Sequence, residues 1–583
     1  MTVDFRNRNT IWASVAVETL AKLGLTTAVV CPGSRSTPLT MAFATHPDIE
    51  AVPVLDERSA AFFALGLAKR TGRATALVCT SGTAGANFYP AVIEARESRV
   101  PLLVLTADRP PELRHCHAGQ AIDQLKLYGN YPTWQTELAL PELDLSQLYY
   151  LRQTIAYALE RTRFPVAGAV HLNCPFREPL PPIREPDAQA FARQFPDSFF
   201  EGSIPSEATF SLTSAADLDR AFSAWFKCDR GLIVAGVAQP VEDKAYCQAV
   251  AHLAKTLGFP VLAEGLSPLR NYASLNPHLV STYDLMLRDE SMAKRLVPEV
   301  VVQVGDLPTS KVLREWLAAV RPQVWVLDPS DRNPDPLHGN TKVLRVAIER
   351  LPIPDPVVPP GASEFCRQWC EADRQVRQQI DDTFGDTDDL VEPKLVWTLS
   401  EILPPATGLF VANSMPVRDL EWFWQPSDRR VRVWCNRGAN GIDGTLSTAF
   451  GVAWEAPTVL LTGDLALFHD ANGFLLRQQF RGSLTVVLAN NHGGGIFEML
   501  PISQFEPPFE AFFATPQSVD VPSLCRAYGV EYEAIASWQH LKRSLKQLPK
   551  TGVRLLELKT DRKVDAAWRQ RLFENVSQNI VKG

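Results

Sequence analysis

Short apolar runs stopped by Gly, Asp, Asn or Pro alternate along this chain with stretches of helical periodicity. In the first third the runs are Thr27–Cys31, Val52–Leu55, Thr75–Cys79, Pro101–Leu105 and Val166–Leu172, with helical patterns between them such as Ser59–Lys69 and Ala91–Ser98. Continuous rather than alternating apolar strands, separated by helices, predict a parallel sheet covered on both faces. A second set follows at Gly231–Ala235, Pro260–Ala263, Glu299–Val304 and Val324–Leu327, with helices at about 242–257 and 309–320. The third comprises Gly408–Ala412, Val431–Cys435, Pro457–Leu461, Leu484–Ala489 and Val553–Leu558. Proline-rich stretches, Pro175 to Pro186 and Pro352 to Pro360, read as linkers between the sets. The pattern predicts an α/β protein of three doubly wound parallel-sheet domains, at 1–185, 186–363 and 364–583.

The stretch from Pro457 to Phe497 carries the most chemistry. One apolar run stops at Gly463-Asp464-Leu465, a helical-looking segment spans Phe468 to Phe480, and a second run stops at Asn490-Asn491-His492-Gly493-Gly494-Gly495. Strand, helix, strand predicts a βαβ crossover, with Asp464 and Asn491 both at carboxyl ends of strands, where open α/β sheets bind ligands. A hard cation such as Mg²⁺ takes about six oxygens, one or two of them from protein and the rest from phosphate and water. Asp464 offers a carboxylate oxygen and Asn491 an amide oxygen, and the glycine run lets the Gly493 carbonyl approach an ion. This arrangement resembles the diphosphate-binding motif of thiamine-diphosphate enzymes, with Leu465 standing where that motif has a second glycine.

Composition narrows the class. A length of 583 residues, 46% hydrophobic and 21% charged, is ordinary for a globular protein of several domains. No apolar run approaches the ~20 residues that span a bilayer, and the first residues lack the apolar core of a secretory signal. The ten cysteines lie mostly inside apolar runs, as reduced thiols would. Cys366 and Cys370, one helical turn apart, have no second pair to complete a zinc site. These features predict a cytoplasmic enzyme. The net charge of −7, without a basic cluster, argues against a nucleic-acid surface. Positive charge for an anionic substrate must then be gathered locally.

Two adjacent carboxylates, Asp56 and Glu57, follow the run ending at Leu55 and open a helix, so either could face a ligand at the sheet's carboxyl edge. An acidic residue in the first turn is also simply favoured by the helix dipole.

Six segments together resemble one family. They are Cys31-Pro32-Gly33-Ser34-Arg35-Ser36-Thr37-Pro38-Leu39, Asp56-Glu57-Arg58-Ser59-Ala60 and Thr80-Ser81-Gly82-Thr83-Ala84 with Asn87 in the first third. Thr106-Ala107-Asp108-Arg109-Pro110-Pro111, Asn413-Ser414-Met415-Pro416-Val417-Arg418-Asp419 and Asn436-Arg437-Gly438-Ala439-Asn440-Gly441-Ile442-Asp443-Gly444 complete the set. The family is 2-succinyl-5-enolpyruvyl-6-hydroxy-3-cyclohexene-1-carboxylate (SEPHCHC) synthase, a thiamine-diphosphate enzyme of menaquinone and phylloquinone biosynthesis. The resemblance implies decarboxylation of 2-oxoglutarate and addition of the succinyl-semialdehyde unit to isochorismate. It implies thiamine diphosphate with Mg²⁺ or Mn²⁺ held by Asp464, Asn491 and Gly493. It picks Glu57 over Asp56 as the carboxylate on the aminopyrimidine, and Ile442 as the apolar wedge that bends the cofactor. Ser34, Arg35, Arg109, Ser414, Arg418 and Arg437 fall on its substrate positions. Lys311 falls toward isochorismate, Gln120 near the reacting carbon, and Ile496 and Phe497 over the pocket. Arginine suits two dicarboxylate substrates because its planar fork donates two parallel hydrogen bonds. His115 and His117 have no assigned part. The superfamily holds the cofactor between two subunits, which implies a homodimer at least, or a homotetramer. Other readings of the same residues are an acetohydroxyacid-synthase-like or simple 2-oxoacid decarboxylase, and a non-catalytic binding protein on this fold.

Overall fold

The computed structural model describes residues 3–202, 213–354 and 361–580. Of the second proline-rich linker, residues 355–360 lie outside that set. The first sheet contains β1 (Thr27–Val30), β2 (Glu50–Pro53), β3 (Thr75–Cys79), β4 (Leu102–Asp108), β5 (Trp134–Glu137) and β6 (Ala169–Pro175), in the order β2-β1-β3-β4-β6-β5. The second contains β7 (Gly231–Ala235), β8 (Val261–Ala263), β9 (Leu279–Val280), β10 (Val300–Val304), β11 (Gln323–Leu327) and β12 (Asn340–Leu344), in the order β12-β11-β10-β7-β8-β9. The third contains β13 (Gly408–Val411), β14 (Arg432–Trp434), β15 (Thr458–Gly463), β16 (Ser483–Asn490), β17 (Glu531–Ala534) and β18 (Gly552–Lys559), in the order β14-β13-β15-β16-β18-β17. Every strand pair is parallel, so the protein has three parallel-sheet α/β domains. The central strands are buried throughout, as their unbroken apolar runs require (β3, β4, β7, β10 and β16 have no exposed residue).

The first and third sheets share one strand order, counted from each sheet's own first strand. In both, the order reverses between the first and third strands, β1 and β3 in one and β13 and β15 in the other. A crevice opens at such a reversal, beyond the carboxyl ends of the strands, and ligands bind there. The segments following these four strands are Cys31 to Arg35, Thr80 to Gly82, Asn413 to Arg418, and Asp464.

Four strands were not predicted, β5, β9, β12 and β17, and all lie at sheet edges. The segment Phe468 to Phe480 also differs from the predicted helix. An α-helix covers Asp464–His469, and a 3₁₀ helix covers Ala471–Gln478. Between them Asp470 is fully buried and accepts the Ser447 N–H at 2.7 Å, a tertiary bond that holds the junction.

The described chain packs as two compact units. One holds the first sheet together with 436–455 and 469–481. Within it, helix Glu57–Thr71 meets helix Thr445–Val452 through glycines on both sides. A Cβ on Gly66 would lie 2.1 Å from the Thr448 carbonyl oxygen, and one on Gly451 would lie 2.2 Å from that of Phe63. The other unit holds the second and third sheets and the long helices Glu364–Gly385 and Arg562–Ile580, which stack Phe384 on Trp568 at 4.9 Å.

Candidate functional site

The candidate residues fall into the two units. In the first, Asp56 caps helix Glu57–Thr71, its carboxylate accepting the N–H groups of Arg58 (2.9 Å) and Ser59 (3.2 Å) and also the side chain of Asn472. Glu57 is the first helical residue and half-buried, and among the described residues no hydrogen bond or ion pair engages its carboxylate. It lies close enough to Cys31 and Cys79 that, after burial, its charge helps push both thiols well above their ordinary range. A cavity of about 580 Å³ opens beside it, lined mainly by apolar groups that include Val54, Leu55 and Leu476, with Asp56 and Ser59 among the polar ones. Leu55 is 69% exposed.

Across the β1–β3 crevice lie the first-domain arginines. Arg35 donates to the Phe176 carbonyl at 3.0 Å and approaches Glu178 at 3.4 Å. Burial, and then the like charge of Arg109, hold the Arg35 pKa below its ordinary value, and its Nε is buried with no acceptor among the described residues. Two neighbouring guanidiniums with an unused buried donor suit an anion. Arg109 donates to the Ser81 hydroxyl, and its own backbone N–H is held by Asp108 at 2.7 Å. Gln120 has a left-handed backbone (φ 59°), is exposed, and donates to the Ser81 carbonyl at 2.9 Å. Ser34, His115 and His117 are exposed.

Arg437 and Ile442 belong to the same unit, on the loop that leads into helix Thr445–Val452. Buried Glu94 pins that loop by accepting the N–H groups of Gly438 (3.0 Å) and Ala439 (2.7 Å). Gly444, at φ 63°, sits where a Cβ would lie 1.9 Å from the Phe62 ring, so the glycine spacing of the motif is a packing requirement. Arg437 and Ile442 are half-buried.

In the second unit, β15 and β16 pair in parallel with Gly463 opposite Ala489, so Asp464 and the Asn491 loop emerge side by side. The Gly493 N–H donates to Asp464 at 2.8 Å. Burial pushes Asp464 up to about 6, and the charge of Glu392 adds to that, against the N–H groups of Leu465 and Gly493. Gly493 has φ 131° and no room for a side chain, since a Cβ would lie 2.4 Å from the Ala514 carbonyl oxygen. Its carbonyl accepts from Gly495 N–H at 2.9 Å and keeps a second lone pair. Asn491 is 4% exposed, and its Oδ1 is buried without a donor among the described residues. Such an oxygen is costly unless something positive meets it. A carboxylate, an orphaned amide oxygen and a cramped backbone carbonyl therefore form a donor set that fits a hard cation.

Ser414 follows β13 with φ 74° and ψ −129°, a conformation that non-glycine residues rarely adopt. It opens helix Met415–Phe423, and Arg418 one turn later donates to its carbonyl at 2.7 Å. Lys311 opens helix Lys311–Val320, is exposed, and pairs with Glu315 at 3.3 Å. Ile496 packs at the margin of a buried cluster, and Phe497 meets Phe513 edge-on at 5.7 Å.

Two residues that hold this site went unread in the sequence. Arg562 donates to the His492 carbonyl at 2.8 Å and to Glu498 at 2.8 Å. Glu392, which opens helix Glu392–Ile402, accepts from the Asn491 side chain. Neither stands near the glycine run in sequence, and an Arg or Glu on a helix carries no local signal.

Three family models match the chain. They are the thiamine pyrophosphate enzyme N-terminal TPP binding domain over 12–127, the middle domain over 211–411 and the C-terminal TPP binding domain over 422–558. A protein of Trichormus variabilis called 2-succinyl-5-enolpyruvyl-6-hydroxy-3-cyclohexene-1-carboxylate synthase is 57% identical over 592 residues, covering 100% of both chains. One of the same name from Rippkaea orientalis is 55% identical, covering 100% of this chain and 98% of its own. Among solved structures, benzoylformate decarboxylase from Polynucleobacter necessarius superposes with a TM-score of 0.69 at 16% identity, covering 94% of this chain and 98% of its own, which is a likeness of fold.

Proposed function

We propose how the residues divide the work in a chain that belongs to the 2-succinyl-5-enolpyruvyl-6-hydroxy-3-cyclohexene-1-carboxylate synthase family. The protein is a thiamine-diphosphate-dependent transferase of menaquinone biosynthesis that decarboxylates 2-oxoglutarate and adds the succinyl-semialdehyde unit to isochorismate. A decarboxylase of the acetohydroxyacid-synthase type is not favoured by these relatives. When bound, thiamine diphosphate supplies the electron sink that lets a 2-oxo acid lose CO₂ and a new carbon–carbon bond form.

Glu57 would be the carboxylate that meets the aminopyrimidine of the cofactor, a role supported by its carboxylate being left over when Asp56 caps the helix. Asp464, Asn491 and the Gly493 carbonyl would hold Mg²⁺ or Mn²⁺ against the diphosphate. Ile442, half-buried, would give the cofactor apolar support. Arg35, Arg109, Arg418 and Arg437, with Ser34 and Ser414, bind the carboxylates of the two substrates. Gln120 stands toward the reacting carbon, Lys311 toward isochorismate, and Ile496 and Phe497 shield the pocket from water. The working form is a homodimer or a homotetramer, in the cytoplasm, with domains at 1–185, 186–363 and 364–583. The exposed Leu55 beside Glu57, at the mouth of an apolar cavity, supports a further surface closing over that carboxylate.

The observation that carries the metal-and-diphosphate reading is the buried, donorless Asn491 Oδ1 beside Asp464. The test is loss of isochorismate with 2-oxoglutarate, thiamine diphosphate and Mg²⁺. Turnover is expected to need all four and to stop when a chelator removes the cation. Equal turnover with pyruvate in place of 2-oxoglutarate would overturn the substrate assignment, and turnover in excess chelator would overturn the cation.

A further inference from the structure

The amide of Asn491 has two ends, and only one of them can serve a cation. Its Nδ2 donates to Glu392 Oε2 at 3.3 Å, while its Oδ1 meets no donor among the described residues. The orientation follows from chemistry, because a carboxylate oxygen accepts and cannot donate, so the nitrogen must face Glu392. Glu392 is itself 4% exposed and firmly held. Arg569 Nη2 donates to the same Oε2 at 2.8 Å, and the Glu392 N–H donates to Asp565 at 2.9 Å. Arg569 is 1% exposed and donates from Nε to Asp419 at 2.8 Å. Burial works against its charge, but Asp419 and Glu392 overcome that and raise its pKa. A buried carboxylate, held by Arg569 and carried on a backbone that Asp565 fixes, therefore stands directly behind Asn491. Arg569 joins it to Asp419, the neighbour of Arg418 on helix Met415–Phe423.

We propose that Glu392 is a positioning residue, which fixes the Asn491 amide so that Oδ1 rather than Nδ2 is presented to the divalent cation, with Arg569 holding Glu392 in place. This rests on the reading of Asp464, Asn491 and Gly493 as the cation's ligands. Without the acceptor the amide is free to turn over and offer two N–H groups, which repel a cation. Partners that orient a ligand in this way change metal affinity by about 10- to 100-fold when removed.

The experiment follows Mn²⁺ binding to the purified full-length protein in the presence of thiamine diphosphate, by the electron paramagnetic resonance signal of free Mn²⁺. Glu392→Met removes the acceptor at similar length and is expected to weaken Mn²⁺ at least tenfold. Glu392→Gln keeps an acceptor oxygen and is expected to stay within about threefold of the parent. Equal weakening by both variants would show that the charge of Glu392 acts rather than its orienting bond, and no weakening by either would overturn the proposal directly. Asn491→Ala separates the two levels of argument. If it binds Mn²⁺ normally, the ligand reading fails and the proposal falls with it. If it loses Mn²⁺ while both Glu392 variants do not, only the positioning role fails. Should Glu392→Met not fold, Asn491→Asp supplies a second route by placing two carboxylates together. Adding Glu392→Gln restores a donor–acceptor pair and is expected to recover at least tenfold in Mn²⁺ affinity. A double variant no tighter than Asn491→Asp alone would overturn the proposal.

Discussion

Asp56 satisfies the two amides that open helix Glu57–Thr71, and Glu57, one position on, is left with a half-buried carboxylate and no partner among the described residues. Sequence alone offers either acid for the site, because both stand beyond the same strand. Capping geometry separates them, since an extended backbone at Asp56 turns its side chain back on the helix start. Glu57→Gln should therefore abolish most turnover, by at least a hundredfold, while leaving the melting temperature within a degree or two. Near-parental turnover would remove Glu57 from the chemistry. Asp464, Asn491 and the glycines were legible because strand ends and a glycine run leave a local signature. Glu392 and Arg569 were not. They reach Asn491 from 99 residues before it and, through Glu392, from 177 residues beyond that glutamate, and only the fold brings them together.

At the scale of elements, every central strand is marked by an apolar run, whereas of the six edge strands only β2 and β14 are, and the four without one are β5, β9, β12 and β17. β12 (Asn340–Leu344) and β17 (Glu531–Ala534) consist almost wholly of exposed and half-buried residues, β5 (Trp134–Glu137) is polar after its tryptophan, and β9 has two residues. An edge strand covers less core and carries charge against stray pairing, so it can do without the apolar run that marks a central strand. The 3₁₀ helix Ala471–Gln478 was misread for a different reason. Its apolar spacing suits an α-helix, but Gly473 packs where a Cβ would lie 2.7 Å from the Ser447 hydroxyl, and tertiary contact overrides the period. The glycine contact between helices Glu57–Thr71 and Thr445–Val452 gives a sharp test. Gly66→Ala should lower stability by about 1–3 kcal/mol, because the Thr448 carbonyl it would strike is backbone and cannot step aside. Gly385→Ala, whose Cβ would meet nothing within 4 Å, is the control and should shift stability by less than about 0.5 kcal/mol. Similar melting temperatures for the two variants would mean that the helices separate at little cost.

For the molecule as a whole, buried titratable groups pull acid stability in opposite directions. His171 is 1% exposed, with Nε2 2.7 Å from the Thr106 hydroxyl, and burial drops its pKa from 6.5 to about 3. The unfolded chain takes up a proton below about pH 6.5 that the folded protein refuses, so stability is lost from there down to about pH 3. At pH 4 this one group costs about 3 kcal/mol relative to pH 7. Asp464 and Asp470, each pushed up to about 6 by burial, act in the opposite sense as pH falls from about 6 to 3.8. His171→Gln should thus lose less melting temperature than the parent between pH 7 and pH 4, and parallel declines would acquit the histidine. The three sheets and their parallel order were open to sequence reading because each strand is a local pattern. The return of 436–455 and 469–481 to the compact unit of the first sheet was not, because no periodicity records which sheet a loop will join. That return bears on domain shuffling. A chimera that took 364–583 from a relative would import the neighbours of Phe62, Gly66 and Glu94 along with the loop at 436–444, so a well-packed hybrid has to match those three positions to the donor as well.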